Sequence, residues 1–276
     1  MADLRRKKTK FMTIMETNNV IKGLVAYFDI LGFGQMIDIK SDEDFKRIRM
    51  IIRRTLVNFT QIQNASIEKS RGALFHNTIE SCSFADSILL WCKIAPTELE
   101  GYYWNIFFQL CGDLMNQYFN DGLPLRGAIS HGKFYIEDHC FAGKPIKECY
   151  KWGKLTEWAG CVVVPEATEH LEKLWSDPKE YGTIMQQICL RYETPLKKNR
   201  PGVNPLLVIK WSYYDLWHPP DDPFSRIPDA VLKSFTQYGK KIPPEAEPKR
   251  ANTVQFLTYV AGLCANSNTS RDNSLT

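Results

Sequence analysis

Val25-Ala-Tyr-Phe-Asp-Ile-Leu-Gly-Phe33 and Ser83-Phe-Ala-Asp-Ser-Ile-Leu-Leu-Trp91 decide how this chain is read. Each is an apolar, strand-like run carrying one carboxylate. Asp29 interrupts what would otherwise be a buried strand, and Asp86 sits in a tight Phe-Ala-Asp-Ser connection ahead of Ile88-Leu-Leu-Trp91. An ionised carboxylate in a sheet core is costly unless it is paired or holds a cation. Two of them on adjacent strands repel each other unless a divalent ion lies between them. One such aspartate is usually a turn former or a helix cap. The pair is more specific, because both flanks repeat one design: an aromatic, then Asp, then a small or apolar turn. Gly32 lets the backbone approach a ligand closely. The pattern predicts a two-carboxylate metal site, with phosphate chemistry as its use.

The composition is permissive rather than diagnostic. A length of 276 residues suits one large domain or one domain with appendages, and 44% apolar residues suffice for a sizeable core. Lys and Arg total 35 against 31 Asp and Glu. That balance requires neither a nucleic acid nor a membrane as partner, and no run approaches the length of a membrane span. The eight cysteines, at 82, 92, 111, 140, 149, 161, 189 and 264, form no Cys-x-x-Cys pair. They read as buried free thiols of a reducing cytoplasm rather than as a disulfide framework or zinc site. The basic start lacks the apolar segment of a signal peptide, so a cytoplasmic location is expected.

Residues 1–20 read as a flexible basic N-terminus. A strand from Leu24 to Ile30 precedes a capping box, Ser41-Asp-Glu-Asp44, whose helix presents Phe45, Ile48, Ile52, Leu56 and Phe59 on one face. A hairpin is expected over 78–92, a helix from Leu99 to Phe119, and strands from Leu125 to Gly132 and from Lys133 to Ile136. His131, at that strand end, reads as a hydrogen-bonded turn residue. A helix to about Trp158 follows, then a short strand Cys161–Val164, a helix Glu166–Trp175 and a strand Pro205–Trp211. This places the main domain at 21–215 and an extension at 216–265. Within that extension the proline-rich stretch Trp217–Lys249 is expected to wrap the surface or bridge subunits, ahead of a short helix from Asn252 to Leu263. A disordered tail is expected over 266–276. The element order is that of an α+β sandwich, a mainly antiparallel sheet with helices on one face.

These motifs in this order resemble the class III nucleotidyl cyclases, a ferredoxin-like fold. Tyr27-Phe-Asp-Ile-Leu-Gly-Phe33 is similar to that family's first strand and phosphate loop, and Phe84-Ala-Asp-Ser87 to its second metal hairpin. Leu125-Arg-Gly-Ala-Ile-Ser-His-Gly132 is similar to its Arg–Gly strand, and Phe141-Ala-Gly-Lys-Pro-Ile146 to the approach to its dimer helix. The resemblance covers roughly residues 22–212. It implies that Asp29, Asp86 and the carbonyl of Ile30 hold two Mg²⁺ or Mn²⁺ ions per site. A ribose 3′-hydroxyl would attack the α-phosphorus as pyrophosphate leaves. Phe28 and the turn Leu31, Gly32 and Phe33 would lie at the triphosphate, with Lys197 near the family's triphosphate-binding lysine. By its own position Lys197 reads as part of a solvated charged loop, and Arg126, on a strand close to the site, reads equally as a contact to phosphate or the partner chain and as a structural ion pair. Sites would form between the two chains of a homodimer, with 143–158 as the interface element.

The departures narrow the resemblance. Ser83 stands where purine cyclases carry a base-reading Lys or Glu, and Lys147 and Lys151 stand where they carry Asn and Arg. Lysine lacks the planar fork of arginine. The chain is most similar to the pyrimidine cyclases of bacterial Pycsar anti-phage systems. That implies conversion of UTP to cyclic UMP, or of CTP to cyclic CMP, as a messenger for a separately encoded effector. A cyclase-like module that binds nucleotide without turnover remains the alternative.

Overall fold

A computed structural model describes residues 20–37, 41–43, 45, 46, 48–50, 53, 79–94, 100–137, 140–175, 188–197, 202–211 and 223–272. β1 (Val20–Ile30) leads into a short helix α1 (Phe33–Ile37). β2 (Ile79–Phe84) and β3 (Ser87–Lys93) form the hairpin, and α2 (Glu100–Asn120) follows. β4 (Leu125–Glu137) runs unbroken through both expected strands. Then come β5 (Cys140–Ala142), α3 (Lys144–Leu155), β6 (Cys161–Val163) and α4 (Pro165–Trp175). β7 (Cys189–Tyr192), β8 (Leu206–Ile209), α5 (Pro223–Thr236) and α6 (Glu247–Asp272) follow, with two 3-10 turns, Gln237–Gly239 and Pro244–Ala246, between the last two.

The architecture is α+β. An eight-stranded sheet runs in the order β2-β3-β1-β4-β6-β8-β7, with β5 paired to β4. Every pairing is antiparallel except β4 with β6. β1 is central, and Leu24 to Ile30 are almost wholly buried. That is why this strand reads as a continuous apolar run rather than an alternating one.

The sheet is covered on both faces, where a single covered face was expected. Leu24 sits directly opposite His131 in the β1–β4 register, and the Trp104 ring of α2 lies 5.7 Å from the His131 ring. α2 therefore packs on the face of Leu24, Ala26 and Phe28. Tyr27 and Asp29 point the other way, because strand side chains alternate. There the Tyr150 ring of α3 meets Tyr27 edge-on at 5.3 Å, and the Cys149 thiol donates to the Val25 carbonyl at 3.3 Å. Gly153 of α3 lies over Gly127 of β4, where a Cβ would make ordinary contact at 3.5 Å with the Gly127 Cα.

Several expectations need correction. The stretch Trp217–Lys249 does not simply wrap the surface: within its described part α5 packs onto the domain, and the helix expected over Asn252–Leu263 lies inside the longer α6. α6 buries Thr253, Phe256, Leu257, Val260 and Ala261, an i, i+3, i+4, i+7, i+8 stripe that marks one helical face. Phe256 meets the Trp158 ring at 4.4 Å and the Tyr192 ring at 5.0 Å. The helix continues to Asp272, through most of the tail expected to be disordered. α5 forms despite an internal Pro228, because Ile227, Val231 and Phe235 are buried together. Its Ser234 hydroxyl donates to the Phe119 carbonyl at 2.8 Å. Of the expected capping-box helix, Ile48 is buried but Phe45 is 61% exposed. Ile52, Leu56 and Phe59 lie outside the described residues, as do 1–19. Among the described residues no helix is long and apolar enough to cross a membrane.

Candidate functional site

Asp29 is the penultimate residue of β1, and Asp86 lies in the two-residue turn between β2 and β3. Backbone pairing draws them together. The Ile30 N–H donates to the Asp86 carbonyl at 2.8 Å, and Asp29 faces Ser87 across the β1–β3 ladder. Ala85 takes a positive φ of 51° to close this turn. Both carboxylates, with Ile30, Leu31, Gly32 and Phe33, line one cavity of about 330 Å³.

The Asp29 carboxylate is buried and already paired. Arg126 lies directly opposite it on β4, and the guanidinium donates to one carboxylate oxygen at 2.6 Å. Lys154 of α3 donates to the other oxygen. Arg126 also donates to the Thr156 carbonyl at 3.3 Å. A charge pair this deep needs such partners, because desolvation otherwise outweighs the attraction. Asp86 is half-buried and accepts from the Ser87 hydroxyl at 3.2 Å. That hydroxyl also meets the Tyr27 hydroxyl at 2.7 Å. Burial pushes the Tyr27 phenol up, against the lowering pull of the Ser87 bond and Lys154.

The other expected site residues divide. The Leu31 N–H is engaged by the Pro124 carbonyl at 2.9 Å, so the amides of Gly32 and Phe33 remain the candidates for a phosphate. Gly32 adopts φ +77°, and a Cβ there would come 3.1 Å from the Lys240 stem. Phe28 faces away from the cavity and is wholly buried against Gly127; alternation along β1 overturns its assignment to the substrate. Ser83 is exposed on β2 and does not line the cavity. Lys147 lines a different hollow beside Tyr27 and Tyr150, and Lys151 pairs with Glu148 at 3.2 Å. Lys197 lies close to the basic group: burial, then the charges of Arg126 and Lys249, push its ammonium down.

Four cations that line the cavity escaped the sequence reading: Lys154, Lys240, Lys241 and Lys249. Lys154 stands seven residues after Lys147, two helical turns along the same stripe, which is the signal that was available. The other three come from the proline-rich extension and carried no local signal. Lys240 is buried and donates to the Gly122 carbonyl at 2.5 Å and the Ser234 carbonyl at 3.1 Å. The Lys241 N–H donates to the Gln35 side chain at 2.8 Å, which ties the extension to α1.

Burial pushes the Lys240 ammonium down to about 8 from 10.5. Between those values the unfolded chain holds a proton that the folded chain has released, so stability rises with pH across that window. Urea unfolding is expected to show about 2 kcal/mol more stability near pH 9.5 than near pH 7.5 from this group. The difference between wild type and Lys240→Met isolates it; identical pH slopes would remove the assignment.

A second cluster lies elsewhere. His131 is not a turn residue but sits inside β4. Ligand atoms of Glu100, His131 and His170 all lie within 4.8 Å of one another, the one such group that could hold a metal ion among the described residues.

No protein-family model matches this chain, and no curated protein matches it. Among solved structures, the adenylyl cyclase CyaB from P. aeruginosa is similar over 69% of this chain and 94% of its own, with a TM-score of 0.38 and 12% sequence identity.

Proposed function

We propose that this chain is a divalent-metal-dependent nucleotide cyclase acting on a pyrimidine triphosphate, UTP ahead of CTP. The observation that carries the reading is the single cavity lined by Asp29, Asp86 and the Gly32 turn, with five cations against two carboxylates. Such a charge balance attracts a polyanion. Two carboxylates and the Ile30 carbonyl are the hard oxygen donors that Mg²⁺ or Mn²⁺ takes. The surplus of cations suits a metal that arrives with the triphosphate rather than a bare ion. When bound, the metal would lower the pKa of the attacking hydroxyl and neutralise charge on the phosphates. Arg126 and Lys154 orient Asp29, while Lys240, Lys241 and Lys249 supply positive charge toward the triphosphate.

Pyrimidine choice rests on the motif resemblance alone, because Ser83, at the family's base-reading position, does not line the cavity. The antiviral role and the separate cyclic-nucleotide effector rest on the same resemblance, and the cytoplasmic setting rests on the dispersed free thiols and the basic start. A homodimer is part of this reading: Lys147 and Lys151 are exposed along α3, the expected interface element. One observation favours a second reading, a nucleotide-binding module without turnover: the Asp29 carboxylate is closed into a pair with Arg126 and Lys154.

Incubation with Mn²⁺ and all four nucleoside triphosphates, followed by mass spectrometry, separates the readings. Cyclic UMP or cyclic CMP with pyrophosphate is expected. Turnover of ATP alone overturns the pyrimidine assignment. Binding of a triphosphate with no product overturns catalysis.

A further inference from the structure

We propose that Glu100, His131 and His170 form a zinc-type metal site on the face of the sheet opposite the nucleotide cavity. The separation follows from strand parity. His131 is five residues beyond Arg126 on β4, so their side chains leave opposite faces. Three elements converge there: the first turn of α2 supplies Glu100, β4 supplies His131, and α4 supplies His170.

The donor set is two imidazole nitrogens and one carboxylate oxygen. That set suits Zn²⁺ and related ions of borderline softness, and three protein ligands leave a fourth position open. The Glu100 carboxylate is already shared. One of its oxygens lies 2.6 Å from the His170 Nε2 and 3.7 Å from the His131 Nε2.

His131 provides the second, independent observation. Its side chain is only 9% exposed, and its Nε2 is buried with no hydrogen-bond partner. A buried polar nitrogen without a partner is costly, and a metal ion would supply one. The Trp104 ring walls the site, 5.7 Å from the His131 ring and 6.3 Å from the His170 ring. The two imidazoles are stacked at 4.2 Å and 15°. Convergence of both lone pairs on one ion therefore requires a turn of the His170 ring. Its 34% exposure on α4 leaves room for that turn. Lys22 of β1 is the neighbouring cation. It is exposed, so solvent screens its repulsion of an incoming ion.

The test uses the full chain, stripped with a chelator and dialysed against Zn²⁺. One Zn²⁺ per chain is expected at an affinity of about 1 μM or tighter. His170→Ala and Glu100→Gln should each weaken uptake about a hundredfold while leaving the far-ultraviolet circular dichroism intact. Cysteines are the competing ligands, and Cys140 is the exposed one. Cys140→Ser should therefore leave uptake unchanged, and Co²⁺ substitution should give ligand-field bands without a thiolate charge-transfer band. Undiminished uptake by His170→Ala, a thiolate band, or no zinc binding by the wild type would each overturn the site. None of these readouts depends on cyclase activity.

Discussion

Asp86→Ala should abolish pyrophosphate release from UTP and CTP, a loss on the order of a thousandfold or more. A metal ligand at the reacting phosphate contributes several kcal/mol to transition-state stabilisation, and each 1.4 kcal/mol is about tenfold in rate. The fold should tolerate the change. Asp86 is half-buried, and its side chain meets only the Ser87 hydroxyl at 3.2 Å among the hydrogen bonds described. The bond that docks the hairpin onto β1 uses the Asp86 backbone carbonyl, which alanine retains. Asp29→Ala is a poorer test, because it would strip the buried Arg126 of its counter-charge and destabilise the domain. A stopped or coupled pyrophosphate assay, read beside a thermal melt, separates the two effects. Wild-type turnover by a well-folded Asp86→Ala protein would end the two-carboxylate reading.

Phe256→Ala should cost about 3–5 kcal/mol, the usual range for deleting a buried phenyl ring. Phe256 is fully buried, with the Trp158 and Tyr192 rings packed on it. Two further bonds tie α6 to the same loop: the Ala159 N–H donates to the Thr253 hydroxyl at 2.8 Å, and the Asn252 amide donates to the Glu157 carbonyl at 2.8 Å. For a chain of this length each kcal/mol moves the melting midpoint by about 2–4 °C, so a fall of about 10 °C is expected. Leu232→Ala, at a position 45% exposed on α5, should change stability by no more than about 0.5 kcal/mol. Equal effects of the two substitutions would mean that the C-terminal helices are not part of the core. The same packing bears on function, since Lys240, Lys241 and Lys249 reach the cavity only because α5 and α6 are anchored.

The α+β class and the course of β1, the β2–β3 hairpin, α2, α3, α4 and α6 were legible in the chain, because each carries its own period of apolar residues or its own turn chemistry. Asp29 and Asp86 stood out for the same local reason, a charge inside an apolar run. Their meeting in one cavity is decided by strand pairing, through the Ile30–Asp86 backbone bond. The pairing of Asp29 with Arg126 and Lys154 was beyond local reading. Those residues lie 97 and 125 positions away, and strand register and the packing of α3 bring them together. Register likewise put Phe28 on the wrong face for a ligand, and put His131 among Trp104, His170 and Glu100. Proline content hid α5, whose burial of Ile227, Val231 and Phe235 outweighs an internal Pro228. What the amino-acid order alone determined was which segments are strands and helices, for those are decided within a few residues. What only the tertiary structure decided was which charges face one another, because that depends on registers and packing contacts between segments far apart in the chain.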